Sequence, residues 1–268
     1  MSNQTAASGT VDRVLRLLET LAAAPEGMPL TALAEELELP RSACHRLLAE
    51  LVRCGYVRQL RAQGDYALTT KLAAVGLGFL GAAGIVDIAQ PIIDRTAETS
   101  GELVRLALVD GDRLTFVAKA QGARYGLRYD PDMGIDVRLS CSAGGHAWLM
   151  TLSEERATAL VAGQGFGEPK SYGPKAPTTF RALMKILDED RQRGFSMMTE
   201  MYAPGMSAMA APVLGRNKEA IAVITIAGPL QRLTVERMQA LGKPLVAAAA
   251  ELALGSATSP LFAGARMR

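Results

Sequence analysis

The sequence predicts an α+β chain of two domains: a small helical domain with a short β-hairpin, and then a larger domain around an antiparallel sheet. At 268 residues the chain is long enough for two domains, each with its own core. Near the N-terminus, apolar runs with helical spacing are separated by Pro and Gly. Further on, strand-like runs joined by tight turns are interleaved with helical runs, which favours an antiparallel sheet covered by helices.

The stretch from 30 to 68 reads as two short helices, a tight turn between them and a hairpin after them. Thr31 is expected to cap the first helix. The second is expected over Arg41–Arg53, because Pro40 disfavours a helical Leu39 and itself suits the start of a helix. Gly55 should then end this second helix. The pattern predicts a helix-turn-helix, completed by a preceding helix over residues 11–24.

The second helix is expected to bury one stripe of side chains and to expose another. The buried stripe consists of apolar residues at helical spacing: Ala43, Leu47, Leu48, Leu51 and Val52. The opposite face carries polar and basic residues in its first turns: Arg41, Ser42, His45 and Arg46. Such a helix reads a DNA major groove, so these four side chains are candidates for contacts with base edges and nearby phosphates. The alternative is an ordinary solvated helical hairpin.

Two strand-like runs, Tyr56–Leu60 and Tyr66–Leu68, flank a basic turn and are typical of a wing. Its Arg58 and Arg61 are expected to contact phosphate without reading sequence. Residues 1–40 hold two arginines against six acidic residues, a sum of −4, whereas residues 41–71 hold six basic residues against two, a sum of +4. The basic half is the predicted DNA-facing surface.

Gly76–Gly81 matches the G-x-G-x-x-G pattern of dinucleotide sites, which makes an NAD-dependent enzyme the main rival interpretation. Such a site needs a preceding strand and an acidic residue about 20 positions later that closes a second strand. Val75 is the only β-branched residue beside the glycines, and Glu98 and Glu102 fall at the end of a helix-like segment. We therefore predict a linker helix over 71–83, whose small residues would let a partner helix approach closely in a dimer.

The larger domain is expected to begin with a helix over Asp87–Ser100 and to end with one from Thr234 to about Leu254. Its predicted strands are Leu103–Val109, Leu114–Ala120, Phe195–Thr199, Ala208–Leu214 and Ala220–Ala227. Further helices are expected after Ser142–Gly145, from Ser153 to Gly163, and over Thr179–Arg193.

Composition narrows the function. The net charge is only +2, so affinity for nucleic acid must come from a local patch. Three scattered cysteines favour a reducing cytoplasm over a disulfide framework. The polar N-terminus does not resemble a signal peptide, and no apolar run reaches the length of a membrane span. These features predict a cytoplasmic protein without a membrane partner.

The sequence gives little support for a catalytic site or a metal site. Cys141 and His146 lie five residues apart, but no carboxylate stands at a defined spacing to orient them. No CxxC or HxxxH pair is present to suggest zinc. We expect no catalytic residue, no metal and no cofactor.

Several motifs support a family resemblance through their order and spacing: VDRVLRLLETL, LAEELELPRSACHRLLAELVRCGYV, YALTTKLAAVGLGFL, AGGHAWL, RGF, AAPV and ITIAGPLQRLT. From about Val11 to Leu254 the chain resembles the IclR family of bacterial transcription regulators. The resemblance implies a winged helix-turn-helix, a linker helix and a GAF-like effector-binding domain. It also implies dimers, often paired into tetramers, on palindromic operators.

The resemblance also implies an effector pocket on one face of the sheet. By alignment of the motifs, the residues expected to line this pocket are Gly126, Leu127, Tyr129, Ala143, Gly144, Met198, Ala208, Thr225 and Ala227. The amides of Ala143 and Gly144, together with Thr225, would hold a carboxylate. Relatives that bind small oxo-acids carry acidic, thiol or hydroxyl groups at several of these positions. Here Met198, Ala208 and Ala227 are apolar, which points to a larger, partly apolar acid, such as an aromatic one.

The sequence thus predicts a transcription regulator that binds double-stranded operator DNA and a small organic acid, as a homodimer or a dimer of dimers. The expected divisions are a disordered arm (1–10), a winged helix-turn-helix domain (11–70), a linker or dimerisation helix (71–86), an effector-binding domain (87–256) and a loose tail (257–268). Besides the NAD-dependent enzyme, a sensor whose helix-turn-helix serves protein contacts is a rival. The operator, the effector, the pathway and the sign of regulation stay open.

Overall fold

The chain divides into two compact units, an N-terminal unit, Met1–Phe79, and a C-terminal unit, Leu80–Arg268. The computed structural model describes residues 9–61, 64–82, 85–131 and 137–255. The expected loose tail lies outside the described residues, as does the expected disordered arm apart from Gly9 and Thr10.

The N-terminal unit contains a helix-turn-helix followed by a hairpin. Its described elements are α1 (Thr10–Ala22), α2 (Leu30–Glu36), α3 (Arg41–Arg53), β1 (Val57–Gln59), β2 (Tyr66–Leu68) and the start of α4 (Thr70–Ala82). The strands pair antiparallel, with Arg58 opposite Ala67. Leu17, Leu33 and Leu48 are fully buried where the first three helices meet. Gly55 adopts a positive φ of 78° just after α3, as the helix stop requires.

Two details of the helix-turn-helix differ from expectation. Thr31 lies inside α2, because the helix already begins at Leu30, with Pro29 in the N-cap position and no side-chain cap. The buried stripe of α3 includes Cys44, which is fully buried, whereas Val52 is 41% exposed. Positions 44, 48 and 51 follow helical spacing, and residue 52 lies about 100° further round the helix.

The C-terminal unit has a five-stranded sheet in the order β4-β3-β7-β6-β5, and all neighbouring strands are antiparallel. The strands are β3 (Leu103–Asp110), β4 (Arg113–Gln121), β5 (Ser196–Thr199), β6 (Met206–Leu214) and β7 (Ala220–Pro229). The helices are the remainder of α4, then α5 (Ile85–Ser100), α6 (Ala143–Leu149), α7 (Glu154–Gln164), α8 (Phe180–Arg193) and α9 (Val235–Gly255). A short 3-10 helix spans Pro169–Ser171.

Helices cover both faces of this sheet. The core on one face joins α5 and α9 to strand residues such as Val104 and Ile224. The core on the other face joins α6, α7 and α8 to residues such as Ala107 and Val223. Side chains alternate between faces along a strand, so Arg105 lies on the same face as Ala107, towards α6. The α+β class and the flanked antiparallel sheet are therefore confirmed.

The glycine motif Gly76–Gly81 lies entirely inside α4. A helix precedes these glycines where a dinucleotide site requires a strand, so the context of such a site is absent here. Within the described residues α4 buries none of its side chains, and Phe79 is 60% exposed. No single helix of the described chain is long and apolar enough to cross a membrane; only α4 and α5 counted together, despite the bend between them, satisfy the criteria of length and composition.

Candidate DNA-reading surface and effector cavity

The outer face of α3 presents the four residues expected to contact DNA. Arg41, Ser42, His45 and Arg46 are all exposed. Within the described residues neither Arg41 nor Arg46 forms an ion pair, whereas Arg53, at the end of the same helix, pairs with Glu50 at 2.8 Å. The first turns of α3 therefore offer two arginines that are available to an external partner.

The hairpin adds two more exposed arginines, Arg58 on β1 and Arg61 just after it. Neither forms an ion pair with a described residue, while residues 62 and 63 at the tip lie outside the described chain. Lys71, which contributes to the charge of the basic half, donates to the Cys54 carbonyl at 2.7 Å and lies 4.8 Å from the centre of the Tyr56 ring. Its ammonium group anchors the end of α3 and is not a free phosphate ligand.

A cavity opens on the α6 side of the C-terminal sheet and contains about 640 Å³ of empty space, its mouth included. Seven of the nine residues expected at the effector site line it: Tyr129, Ala143, Gly144, Met198, Ala208, Thr225 and Ala227. The other two, Gly126 and Leu127, are not in its wall, and Leu127 is 67% exposed. The structure therefore does not bring these two residues to the cavity.

Eight further lining residues were not expected from the sequence: Arg105, Phe116, Val137, Ser142, Met201, Tyr202, Met206 and Ser207. Arg105 is the informative one, because it is a cation inside an otherwise apolar strand. The run Leu103–Asp110 reads as a buried strand, so an arginine in its middle was the available signal.

The guanidinium of Arg105 is enclosed by aromatic rings. The residue is 8% exposed, and its central carbon lies 3.7 Å from the centre of the Phe116 ring and 6.0 Å from that of Tyr129. Burial lowers the pKa of Arg105, because a charged group loses hydration there. The Tyr129 hydroxyl lies within hydrogen-bonding reach of the guanidinium. Within the described residues no carboxylate pairs with Arg105, and its Nε has no hydrogen-bond partner.

The first turn of α6 forms another part of the wall. Ser142 caps the helix, its hydroxyl accepting from the Gly145 amide at 3.0 Å. A Cβ at Gly144 would lie 3.3 Å from the Thr225 methyl group, so the glycine allows α6 to sit close to β7. The Thr225 hydroxyl donates a long hydrogen bond of 3.4 Å to the Arg105 carbonyl. Thr225 and Arg105 are also direct cross-strand partners.

Two phenols complete the polar part of the cavity. Burial raises the pKa of both Tyr129 and Tyr202, so they are present as neutral hydroxyls at neutral pH. Among the described residues, no Asp or Glu side chain lines the cavity. With its methionines and alanines, the wall is mostly apolar and carries one positive charge.

A buried carboxylate does stand beside His146, contrary to expectation. His146 Nδ1 lies 3.6 Å from Asp190 Oδ2, and His146 Nε2 lies 2.8 Å from the Ser140 carbonyl oxygen. Asp190 comes from α8, far away in sequence. Burial raises the pKa of Cys141 to about 11, so this thiol is protonated at neutral pH and suits packing better than nucleophilic attack. Within the described chain, no cluster of three or more His, Cys, Asp or Glu residues could hold a metal ion.

Two family models match the chain. Residues 10–61 match the IclR helix-turn-helix domain, and residues 78–254 match the C-terminal domain of the bacterial transcriptional regulator IclR. These matches cover both the exposed face of α3 and the cavity wall.

Curated relatives agree. The transcriptional repressor IclR of Escherichia coli K12 is 31% identical over 246 residues, covering 91% of this chain and 89% of that protein. The DNA-binding transcriptional repressor YiaJ of the same strain is 31% identical over 254 residues, covering 90% and 85%.

Solved structures share the fold. An IclR regulator from Alicyclobacillus acidocaldarius superposes with a TM-score of 0.80 at 22% identity, covering 91% of this chain and 97% of that one. An IclR homologue from Microbacterium hydrocarbonoxydans, in complex with 4-hydroxybenzoate, gives a TM-score of 0.77 at 19% identity, covering 92% and 98%. The chain therefore belongs to the IclR family of bacterial transcriptional regulators, proteins that bind DNA through the helix-turn-helix and a ligand through the C-terminal domain.

Proposed function

We propose that the chain controls transcription as a homodimer on a nearly palindromic operator, and that a small organic acid with an apolar body sets its operator affinity. The proposal of an acid effector rests on the cavity beside α6. Among the described residues, its mostly apolar wall bears one cation and no acidic side chain. Such a wall favours a ligand with one anionic end and an apolar remainder.

The DNA contacts follow from the outer face of α3 and from the wing. Arg41, Ser42, His45 and Arg46 contact base edges and nearby phosphates, and Arg58 and Arg61 contact phosphate alone. A second copy places a second α3 about one helical turn along the duplex, which is the reason for the near-palindrome. The exposed apolar side chains of α4 support a dimer contact through this helix, because large apolar surfaces rarely stay in water.

The apolar lining favours an aromatic acid. Met198, Ala208 and Ala227 offer no hydrogen bond to the extra oxygen atoms of a small oxo-acid, whereas Phe116 and the methionines can pack against a ring. The fold accommodates such a ligand in at least one relative, the 4-hydroxybenzoate complex. Dimer pairing into tetramers remains part of the proposal, as the resemblance implies.

The test is DNA binding with and without acid. Affinity for the upstream intergenic DNA of the chain's own gene is compared with affinity for a random duplex, at two salt concentrations. The proposal requires tighter binding to the intergenic DNA, a palindromic footprint and a steep loss with salt. Addition of benzoate, 4-hydroxybenzoate, phenylacetate or hexanoate must change that affinity for at least one acid.

A folded dimer with no DNA affinity even at low salt would refute the DNA-reading assignment. Specific DNA binding that none of the acids alters would refute the acid effector alone. Binding of NAD would support the enzyme interpretation, which the helical context of Gly76–Gly81 disfavours.

A further inference from the structure

We infer that Arg105 is the residue that binds the carboxylate of the effector, and that the effector is a monocarboxylate. This inference rests on the proposed acid effector and names its binding partner, which the sequence had assigned to the amides of Ala143 and Gly144. A charged side chain with 8% exposure and no ion-pair partner among the described residues is costly to fold, and proteins rarely keep one without a purpose.

Lys119, the neighbouring cation, has a carboxylate partner of the kind that Arg105 lacks among the described residues. Lys119 lies directly opposite Arg105 in the β3–β4 register. Its ammonium group pairs with Asp130 at 2.7 Å and so has its counter-charge within the protein. Asp130 acts on Arg105 only as a distant charge. Of the two cross-strand cations, Arg105 alone lacks a described carboxylate partner, and it alone lines the cavity.

The surroundings of the guanidinium favour one kind of anion. With its central carbon 3.7 Å from the centre of the Phe116 ring, the flat face of the guanidinium is occupied. The Tyr129 hydroxyl is within hydrogen-bonding reach of the guanidinium, whereas Nε has no partner in the described residues. The N–H groups of a guanidinium match the two oxygens of a carboxylate, and Tyr129 would then lie beside the bound acid. Arg105 is the one cation among the described residues that line the cavity, so we expect a monocarboxylate to bind more tightly than a dicarboxylate. Thr225 is the direct cross-strand partner of Arg105, and both residues line the cavity.

Binding of matched ligand pairs tests the inference. Calorimetric titration of the wild-type chain compares benzoate, 4-hydroxybenzoate, phenylacetate and hexanoate, each with its neutral primary amide, and adds phthalate as a dicarboxylate. At least one acid should bind about 10–100-fold more tightly than its amide, as expected for a charge-assisted hydrogen bond. Arg105→Gln should remove that preference. Arg105→Lys should keep part of that preference, because the charge remains but the paired N–H donors of the guanidinium are lost.

Lys119→Gln is the matched control, since it removes the other cation of the same strand pair. It should leave the preference within about 3-fold of the wild-type value, as Lys119 is already neutralised by Asp130. The inference is overturned if Arg105→Gln keeps the acid preference, if Lys119→Gln abolishes it equally, or if phthalate binds better than benzoate. If no acid outcompetes its amide on the wild-type chain, the acid effector of the proposed function fails together with the inference.

Stability without ligand gives an independent test. An arginine that held the sheet together would cost stability when replaced, whereas removal of a buried charge without a described carboxylate partner should leave stability unchanged or raise it. Arg105→Met should therefore keep the thermal midpoint of the ligand-free chain or raise it by about 2–4 °C. A fall of several degrees would assign Arg105 a structural role and overturn the inference.

Discussion

The two units of this chain present arginine in opposite ways. In the N-terminal unit, Arg41, Arg46, Arg58 and Arg61 are exposed and form no ion pair with a described residue. In the C-terminal unit, Arg105 is buried against Phe116. An exposed arginine keeps its hydration until a DNA phosphate replaces the water around it, so each arginine–phosphate contact is individually weak and sensitive to salt. A buried arginine has already lost its hydration, so a single partner can matter much more.

A surface site depends on residues close together in sequence, whereas a cavity depends on close packing of backbone segments. The strongest expected effect concerns that packing. A Cβ at Gly145 would lie 2.4 Å from the Leu139 carbonyl oxygen, whereas one at Gly144 would lie 3.3 Å from a side-chain methyl group that can move. Gly145→Ala should therefore destabilise the chain by about 3 kcal/mol, and Gly144→Ala by clearly less. Urea unfolding curves measure both.

Ser42→Ala provides the control on the reading surface. Its side chain is exposed on α3, so its effect on stability should stay within about 0.5 kcal/mol. Equal destabilisation by Gly145→Ala and Ser42→Ala would refute the contrast between the packed cavity wall and the open surface.

Base reading should be the next largest effect. Arg46→Ala should weaken operator binding and relax sequence preference by roughly 1–3 kcal/mol at one base pair, because a bidentate contact to a base edge is lost. Competition binding with operators changed at single positions measures this. Equal loss on operator and random DNA would count against a base-reading role for Arg46.

Phosphate contacts should produce a smaller and more uniform effect. Arg58→Ala or Arg61→Ala should weaken binding to every sequence and reduce the slope of log affinity against log salt by about one unit each. Arg53→Ala is the control, because its guanidinium already pairs with Glu50. A salt slope that changes as much for Arg53→Ala as for the wing variants would show that the slope reports general charge.

Cysteine reactivity should separate exposed from buried positions with the least effect on function. Cys54 is exposed, whereas burial raises the pKa of Cys44 and brings that of Cys141 to about 11. At pH 8 the thiolate fraction of Cys141 is then on the order of one in a thousand. Iodoacetamide should label Cys54 first, and peptide mass spectrometry would detect it. Early labelling of Cys141 would show that the wall beside α6 opens readily.

Elements set by local chemistry followed the sequence closely. Helix α3 has the predicted bounds, and the turn after Val109 joins β3 to β4 as a tight hairpin with Gly111 at a positive φ of 58°. Helices start at Thr179 and Thr234 as expected, and each threonine hydroxyl accepts a hydrogen bond from a backbone amide in the first turn of its helix. These features depend on residues within a few positions of each other, so the sequence alone was sufficient.

Two features that depend on distant residues were missed: the carboxylate beside His146 and the cation in the cavity wall. The partner of His146 comes from α8, and the cavity joins residues as far apart as Arg105 and Ala227. The same motif placed Gly126, Leu127 and Tyr129 at the site, but only Tyr129 of these three lines the cavity. The run around Arg105 reads as a buried strand. Which strands pair with it, and which face of the sheet borders the cavity, cannot be inferred without the sheet register.

A reciprocal titration measures whether acid binding and DNA binding are coupled. Operator affinity is measured with and without a saturating acid, and acid affinity with and without saturating operator. Linkage requires the two ratios to be equal, and we expect about 5-fold or more in each. Equal ratios of that size would establish that the cavity controls the reading surface. Acid affinity unchanged by operator, with both ligands bound, would contradict the account.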